Sequence, residues 1–309
     1  MDKLFSIMQI IAPIVLAVFF GALARKKQLL TPEENQGLQS FVIKFGLPCI
    51  IFKSCLTADI GMESLTSMAM IIPFVLISSL WSYAARKKRF PYYNMPMLFS
   101  AQETGMLGLP LFMLLFGADQ AYRMGVLDLS QALICYPTIA ILSAPANTNP
   151  SPKQIIKSIV TSPFVIVSLL GLGLNLSGIR AWMESVGFGG IILESAGFLG
   201  QPVSALMIFS VGYNFSLAKD CRATIFKISA IHFLWFAFAG AAIQGLLCLI
   251  PNVDPLTRWV LLLYTVLPTS YLSTSFGRTE EDKTMASGVC SVLTAVTLVI
   301  FCIMAAFAA

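Results

Sequence analysis

Polar and helix-breaking residues interrupt a hydrophobic stretch at Ser100–Gly117, SAQETGMLGLPLFMLLFG. Glu103 and Thr104 lie within it, and they are followed by Pro110, which has no backbone N–H and clashes with the carbonyl four residues before it. In lipid every freed backbone group needs a partner, so a broken helix is tolerated only inside protein or beside a water-filled cavity. An acidic residue beside such a break marks a candidate functional site.

The second half of the chain contains a similar interruption at Leu267–Tyr271, where Pro268 is followed by hydroxyl side chains deep in another apolar segment. Two interrupted helices in corresponding places of two halves are the sequence feature that points to the binding site of a transporter. The alternative interpretation of Pro110 and Pro268 is that they kink their helices and affect packing alone.

The two breaks also predict how a ligand binds. Pro110 suits the first turn of an outer half-helix, and Pro268 can open an inner half-helix. Each half-helix would present free N–H groups and roughly half a positive charge to the crossing point, which suits an anionic group. The substrate-binding residues predicted on this basis are Thr104, Gly105, Gly108, Pro110, Pro268, Thr269 and Ser270.

Glu103 and Lys44 are the charged residues expected nearest the site. Burial in a low-dielectric site favours the protonated carboxyl, so Glu103 is a candidate both for substrate binding and for carrying a coupling proton. Lys44 lies mid-span, where an unpaired charge costs on the order of 3 kcal/mol or more. We therefore predict that Lys44 pairs with Glu103 or contacts the substrate carboxylate; the alternative for Glu103 is a permanently paired structural charge.

Three further polar residues in apolar segments have two interpretations each. Asp128 could coordinate a cation or relay a proton, or it could make an interhelical hydrogen bond. Asn214 could line the substrate site or cap its helix. His232, the single histidine, is more typical of a satisfied interior histidine than of a proton relay, and it has no metal-ligand partner in the sequence.

Composition identifies the class of protein. Of 309 residues, 57% are hydrophobic and 11% are charged, whereas roughly a quarter are charged in soluble domains. The basic residues form short clusters between apolar segments, which excludes nucleic-acid binding as an interpretation of the net charge of +5. Enzymatic motifs and metal-ligand clusters are missing from the sequence, so we expect no enzyme activity, no cofactor and no metal, with H⁺ or Na⁺ as the coupling ion.

Spans of about 20 mainly apolar residues cross a bilayer, and the sequence contains ten candidates. They are Leu4–Ala24, Gln36–Leu56, Ser67–Ala84, Tyr93–Phe116, Ala121–Ser143, Ile159–Leu176, Ile192–Tyr213, Ile225–Ile250, Leu256–Ser275 and Ala286–Phe307. Basic clusters such as Arg25–Lys27 and Arg86–Arg89 fall in alternate loops. Because cytoplasmic loops are enriched in Lys and Arg, both termini are predicted to be extracytoplasmic in a multi-pass protein of the plasma (cell inner) membrane.

A faint internal repeat divides the chain. Pro13 and Gly21 match Pro163 and Gly171 at one offset, and Pro48 and Pro110 match Pro202 and Pro268 at slowly growing offsets. Five spans reverse the orientation of the next five, so the pattern predicts an inverted-topology repeat; chance agreement of common membrane prolines is the alternative. The predicted units are residues 1–146, a cytoplasmic linker at 147–158, and residues 159–309.

The motif TGMLGLPLF resembles the Asn-Thr-Gly-Phe-x-Gly-x-Pro-Leu stretch of the auxin efflux carrier family, which includes bacterial malate and malonate permeases and plant auxin exporters. Further similar stretches are FVIKFGLPCIIF, QPVSALMIFSVGYNFS, the Pro268 region and ASGVCSVLTAVTL. The family often has Asn where this chain has Glu103. A carboxylate there would repel an anionic substrate unless it is protonated or paired.

The resemblance implies an all-α polytopic membrane protein with ten transmembrane helices in two inverted five-helix repeats. It also implies that discontinuous helices 4 and 9 cross at the midplane, that the substrate is a carboxylate, and that the protein forms a homodimer. The fold is similar to that of bile-acid sodium symporters and sodium/proton antiporters. We therefore expect an ion-coupled secondary active transporter of small organic anions, such as malate, malonate or auxin-like acids, that works by alternating access. The alternatives are a sodium-coupled symporter of larger amphipathic anions and a non-transporting membrane receptor.

Overall fold

The structure is a computed structural model, and it describes residues 2–58, 61–143, 151, 153, 156, 157, 161, 163–215 and 221–308. The described part of the chain is helical and contains no β-strand. The linker predicted at 147–158 falls mostly outside the described residues.

The helices of the first half begin with α1, and their bounds follow in chain order. They are α1 Asp2–Lys26, α2 Pro32–Phe41, α3 Leu47–Thr57, α4 Met62–Lys88, α5 Met95–Ser100, α6 Leu109–Phe116 and α7 Ala121–Ser143. A π-helical turn, Val42–Gly46, joins α2 to α3, and another, Thr104–Gly108, leads into α6. Each of these turns widens the helix locally, and the second lies within the predicted interruption at Ser100–Gly117.

The helices of the second half follow the same convention. They are α8 Pro163–Leu176, α9 Ile179–Ser185, α10 Phe188–Gly200, α11 Val203–Asn214, α12 Arg222–Leu247, α13 Pro255–Val266, α14 Leu272–Ser275 and α15 Glu280–Ala308. α13 and α14 are separated by an extended segment that contains the predicted break at Pro268.

Five helical segments in the described part of the chain are long and apolar enough to cross a membrane. They are Pro32–Thr57, Met62–Arg86, Phe188–Asn214, Arg222–Leu247 and Glu280–Phe307. They coincide with the second, third, seventh, eighth and tenth predicted spans. A sixth is added if α8 and α9, which are bent by 74° at Ser177-Gly178, count as one span. The prediction of ten spans stays a prediction.

Glycines permit the closest contact between α1 and α11. A Cβ atom added at Gly21 would lie 2.0 Å from the carbonyl oxygen of Phe209, and one added at Gly212 would lie 2.1 Å from the carbonyl oxygen of Val18. Both distances are shorter than any real Cβ contact, so the two backbones touch only because these residues have no side chain.

A comparable contact joins α3 and α8. A Cβ atom added at Gly171 would lie 2.9 Å from the carbonyl oxygen of Phe52 and 2.8 Å from the Cβ atom of Cys55. The two kinked spans, α2–α3 and α10–α11, also pack against each other at glycines. A Cβ atom at Gly46 would lie 2.5 Å from a methyl group of Val203. The four spans α1, α2–α3, α8 and α10–α11 therefore form one closely packed unit.

The other helices surround the two breaks. A hydrophobic cluster of buried side chains joins α6, α7 and α13, and it includes Leu107, Phe112, Leu127, Leu261 and Tyr264. A second cluster joins α4, α5, α12 and α15. The interrupted segments between α5 and α6 and between α13 and α14 are thus held inside protein, as unpaired backbone at membrane depth requires.

We predict that Gly171→Ala lowers the melting temperature of the protein in detergent, while Gly173→Ala on the same helix does not. The first variant forces a methyl group into the contact between α8 and α3, and overpacking of this kind costs about 1–3 kcal/mol. The second meets no atom within 4 Å, and alanine has the higher helix propensity. Equal melting temperatures for the two variants would contradict this description of the contact.

Candidate functional site

The two interrupted spans cross as a short antiparallel pair of extended segments. Gln102 and Thr269 form an isolated antiparallel β-bridge. The N–H of Glu103 donates to the carbonyl of Pro268 at 2.8 Å, and the N–H of Ser270 donates to the carbonyl of Ala101 at 3.0 Å. Backbone groups that lose their helical partners at the two breaks therefore bond to each other, and these bonds hold the crossing together.

The breaks lie close to the prolines but not at them. In the fourth span the chain is extended at Ala101 and resumes as a π-helical turn at Thr104, so Pro110 falls in the first turn of α6. In the ninth span Leu267 is extended, as expected for a residue that precedes proline. The half-helix predicted to open at Pro268 starts later, at Leu272, because the intervening N–H groups bond to the other segment.

The side chain of Gln131, on α7, forms hydrogen bonds with the backbone at the crossing. Its Oε1 accepts from the N–H of Gln102 at 2.8 Å and from the hydroxyl of Tyr264 at 2.8 Å. Its Nε2 lies within hydrogen-bond distance of the carbonyl of Gln102 (3.0 Å), Oγ1 of Thr104 (2.9 Å) and Oδ1 of Asp128 (2.9 Å), and its two hydrogens are shared among these three acceptors. One amide thus ties α7 to the fourth and ninth spans.

The carboxylate of Glu103 lies where the two half-helices begin. Its Oε2 accepts from the N–H of Tyr271 at 2.7 Å, and its Oε1 accepts from the N–H of Met106 at 3.2 Å. The side chain caps both half-helices at once, and the residue is only 6% exposed. Glu103 therefore occupies the place at which the sequence predicted the anionic group of a substrate.

Asp128 forms an interhelical hydrogen bond, one of the two interpretations considered for it. The hydroxyl of Thr104 donates to Oδ1 of Asp128, the oxygen that also accepts from Gln131. Asp128 is partly exposed to the cavity described next. Its position is therefore compatible with both structural and ion-binding roles.

A cavity of about 870 Å³ extends from the crossing to one end of the helices. The residues that line it beside the crossing are Glu103, Thr104, Gly105, Asp128, Gln131 and Ser270. At its other end lie Arg25 in the last turn of α1, Asn214 at the end of α11, and Lys283 in α15. Two carboxylates thus border the deep end of the cavity, and two basic side chains border its mouth.

The side chain of Asn214 bonds to a neighbouring helix, and the C-cap of its own helix is Phe215. Asn214 is the last residue of α11 and it lines the cavity. Its Oδ1 accepts from Nδ2 of Asn35, whose Oδ1 in turn accepts from the hydroxyl of Ser210. The guanidinium group of Arg25 donates to the carbonyl of Tyr213 at the same helix end.

Five of the predicted binding residues do not line this cavity: Lys44, which is described below, and four residues at the breaks. Gly108 and Pro110 are buried in the half-helix, and a Cβ atom at Gly108 would lie 2.6 Å from Leu267. Pro268 and Thr269 form the far side of the crossing. Thr269 is fully buried, and its hydroxyl has no hydrogen-bond partner among the described residues.

The predicted ion pair between Lys44 and Glu103 is wrong. Lys44 is exposed in the π-helical turn, and it lies outside the set of residues that line the cavity, whereas its neighbours Ile43 and Leu47 belong to that set. Among the described residues Lys44 forms no ion pair. The Glu103 carboxylate is satisfied by backbone N–H groups instead.

Comparison with known proteins identifies the family. A family model described as membrane transport protein matches residues 6–307. The chain belongs to this family. The resemblance to the auxin efflux carrier family is therefore confirmed, and the chain is a multi-pass membrane protein from a family of transporters rather than enzymes. A relative described as an uncharacterized transporter, from Methanothermobacter thermautotrophicus, is 24% identical over 242 residues, which are 76% of this chain and 77% of the relative.

Gln131 is the residue of this transporter's site that sequence reasoning missed. Its spacing of three residues from Asp128 puts both side chains on one helical face, and this was the available signal. Its backbone partners could not be identified, because they belong to a distant extended segment.

We predict that Gln131→Leu lowers the free energy of unfolding in detergent by several kcal/mol. The substitution leaves the N–H of Gln102 and the hydroxyl of Tyr264 without partners, and each unsatisfied buried group costs about 1–3 kcal/mol. Gln39→Leu is the matched control, since Gln39 lines the same cavity and its amide makes no hydrogen bond within the described structure. Similar denaturation midpoints for the two variants would show that Gln131 does not hold the crossing.

Proposed function

We propose that this protein is a proton-coupled secondary active transporter of small organic anions, which binds the substrate carboxylate at the crossing and works by alternating access. The observation that carries the proposal is the position of Glu103. Its carboxylate occupies the N–H groups of two half-helices at the deep end of a cavity that opens toward one side. An ionisable group at such a place can exchange with an anion and carry a proton.

The architecture proposed for this mechanism is ten spans in two inverted repeats. Several equivalences support it. Gly21 allows α1 to pack on α11, and Gly171 allows α8 to pack on α3, so matched positions make matched contacts. Pro48 and Pro202 both lie at the start of the second half of a kinked span. The closely packed first, second, sixth and seventh spans would form the scaffold against which the crossing moves.

Electrostatics links substrate binding to protonation of Glu103. Two carboxylates about 4 Å apart repel by on the order of 4 kcal/mol at an effective dielectric constant of 20, which is roughly a thousandfold in affinity. Asp128 adds to the repulsion. A protonated Glu103 would release the N–H groups of Met106 and Tyr271 for the substrate, and would remove the like charge. One proton would then accompany each substrate carboxylate.

The basic side chains at the mouth of the cavity favour an anionic substrate. Arg25 and Lys283 border the opening, and charges of one sign at the mouth of a cleft raise the local concentration of the opposite charge. The enrichment of Lys and Arg in cytoplasmic loops assigns this mouth to the cytoplasm. The conformation is therefore interpreted as inward-open, in the plasma membrane, with both termini outside.

We predict that proteoliposomes take up labelled malate, malonate or indole-3-acetate when a proton gradient is imposed, and that Glu103→Gln abolishes the dependence of uptake on that gradient. The amide keeps the size of the side chain but cannot carry the proton. Glu33→Gln, an exposed carboxylate outside the cavity, is the control and should behave like the wild type.

The other outcomes of this experiment distinguish the alternatives. Proton-driven uptake that survives in Glu103→Gln would refute the role of Glu103 in coupling. Uptake driven only by a sodium gradient, with larger amphipathic anions as substrates, would favour a sodium symporter. Saturable binding without accumulation in sealed vesicles would favour a receptor.

We predict that a cysteine at Thr284, in a variant without the seven native cysteines, reacts with a membrane-impermeant maleimide in inside-out vesicles but not in right-side-out vesicles. Thr284 lines the cavity near its mouth. Ser177→Cys, exposed in the turn between α8 and α9 at the opposite end, should show the reverse pattern. The same pattern for both cysteines would contradict the proposed orientation.

A further inference from the structure

The side chain of Gln102 bonds to two carbonyls at the break of the ninth span, and the one of Pro268 also accepts from the N–H of Glu103. One terminal atom of the amide lies 2.9 Å from the carbonyl oxygen of Pro268 and 3.0 Å from that of Leu267. Carbonyl oxygens only accept hydrogen bonds, so this atom must be the amide nitrogen, which has two hydrogens to donate. The remaining terminal atom is therefore the amide oxygen.

The amide oxygen of Gln102 faces His232, on α12. This terminal atom lies 3.4 Å from Nε2 of the imidazole, at the long end of the hydrogen-bond range. Because the oxygen accepts, Nε2 must carry the hydrogen, which fixes the tautomer of His232. The chain of donors runs from His232 through Gln102 to the carbonyls of Leu267 and Pro268.

The surroundings of His232 offer few other acceptors for the N–H at Nε2. The residue is 1% exposed, and its ring packs between Phe99 and Phe236, with ring centroids 5.1 Å and 4.7 Å away. Within the apolar part of a membrane protein no water is at hand to replace a lost donor. A polar ring among aromatic side chains is therefore explained by its bond to Gln102.

We propose that His232 is a positioning residue for the crossing, which acts by holding the amide of Gln102 in one orientation. Rotation of that amide by 180° would turn its oxygen toward the carbonyls of Leu267 and Pro268, and oxygen atoms repel there. The N–H of His232 opposes this rotation. It thereby fixes the spacing of the two extended segments, and with it the N–H groups that face Glu103.

The tautomer can be measured in the unmodified protein, because His232 is the single histidine of the chain. Nitrogen NMR of protein labelled with ¹⁵N-histidine should show a neutral ring at pH 7 with its hydrogen on Nε2 and none on Nδ1. A hydrogen on Nδ1 alone, or on both nitrogens, would overturn the proposal. This measurement does not depend on any transport activity.

The effect on transport, which rests on the proposed function, is tested with three variants at one position. Glutamine can place its amide nitrogen close to the position of Nε2, whereas asparagine is too short and leucine has no donor. We expect His232→Asn and His232→Leu to raise the KM for uptake roughly five- to tenfold, as for loss of one buried hydrogen bond. His232→Gln should stay within about twofold of the wild type.

The glutamine and asparagine variants control for folding, since both replace an aromatic ring by a flexible amide. Uptake is normalised to folded protein measured by size-exclusion chromatography. Equal KM values for these two variants would overturn the proposal, as would a wild-type KM for His232→Leu. If the wild type transports none of the anions tested, the proposed function fails while the NMR result still decides the role of His232.

Discussion

The structure depends on one constraint: two helices lose their internal hydrogen bonds at the same place, and the freed groups must find partners inside protein. Each unsatisfied backbone group in a bilayer costs several kcal/mol. The segments around Gln102 and Thr269 solve this by pairing with each other. The side chains of Gln131 and Gln102 satisfy groups at this pair that would otherwise remain free, and the carboxylate of Glu103 accepts from the N–H groups at the start of each half-helix.

The carboxylate of Glu103 stabilises the crossing and is also the ionisable group of the candidate site. A pair of half-helix N-termini attracts an anion, and here the chain itself supplies one. The N–H groups are therefore already occupied by a protein carboxylate. In the proposed function an external carboxylate would compete with it, which would link substrate binding to protonation, and this competition would be absent if a neutral amide stood at the same position.

Close contacts at glycine residues distinguish one group of helices from the others. Backbone contacts at Gly21, Gly171 and Gly212 join four spans closely, while the crossing is surrounded by large apolar side chains such as Phe112 and Tyr264. Small residues allow rigid, close packing between helices in membranes. In the proposed mechanism of alternating access, this closely packed unit would be the scaffold against which the crossing moves.

The sequence by itself determined the class of protein, the family, the two breaks and the importance of Glu103. It did so because apolar length, proline and an intramembrane carboxylate have consequences that any fold in a bilayer must meet. It could not determine which side chains meet. Lys44 was predicted to pair with Glu103 or to contact the substrate, but it is exposed and outside the cavity lining, because the surroundings of a helical residue depend on how the whole helix is rotated. Gln131 and His232 contact the crossing from α7 and α12, and only the tertiary structure brings these distant segments together. Sequence shows where backbone groups lose their helical hydrogen bonds, because this is a local property. Which side chains replace those bonds depends on how the helices pack.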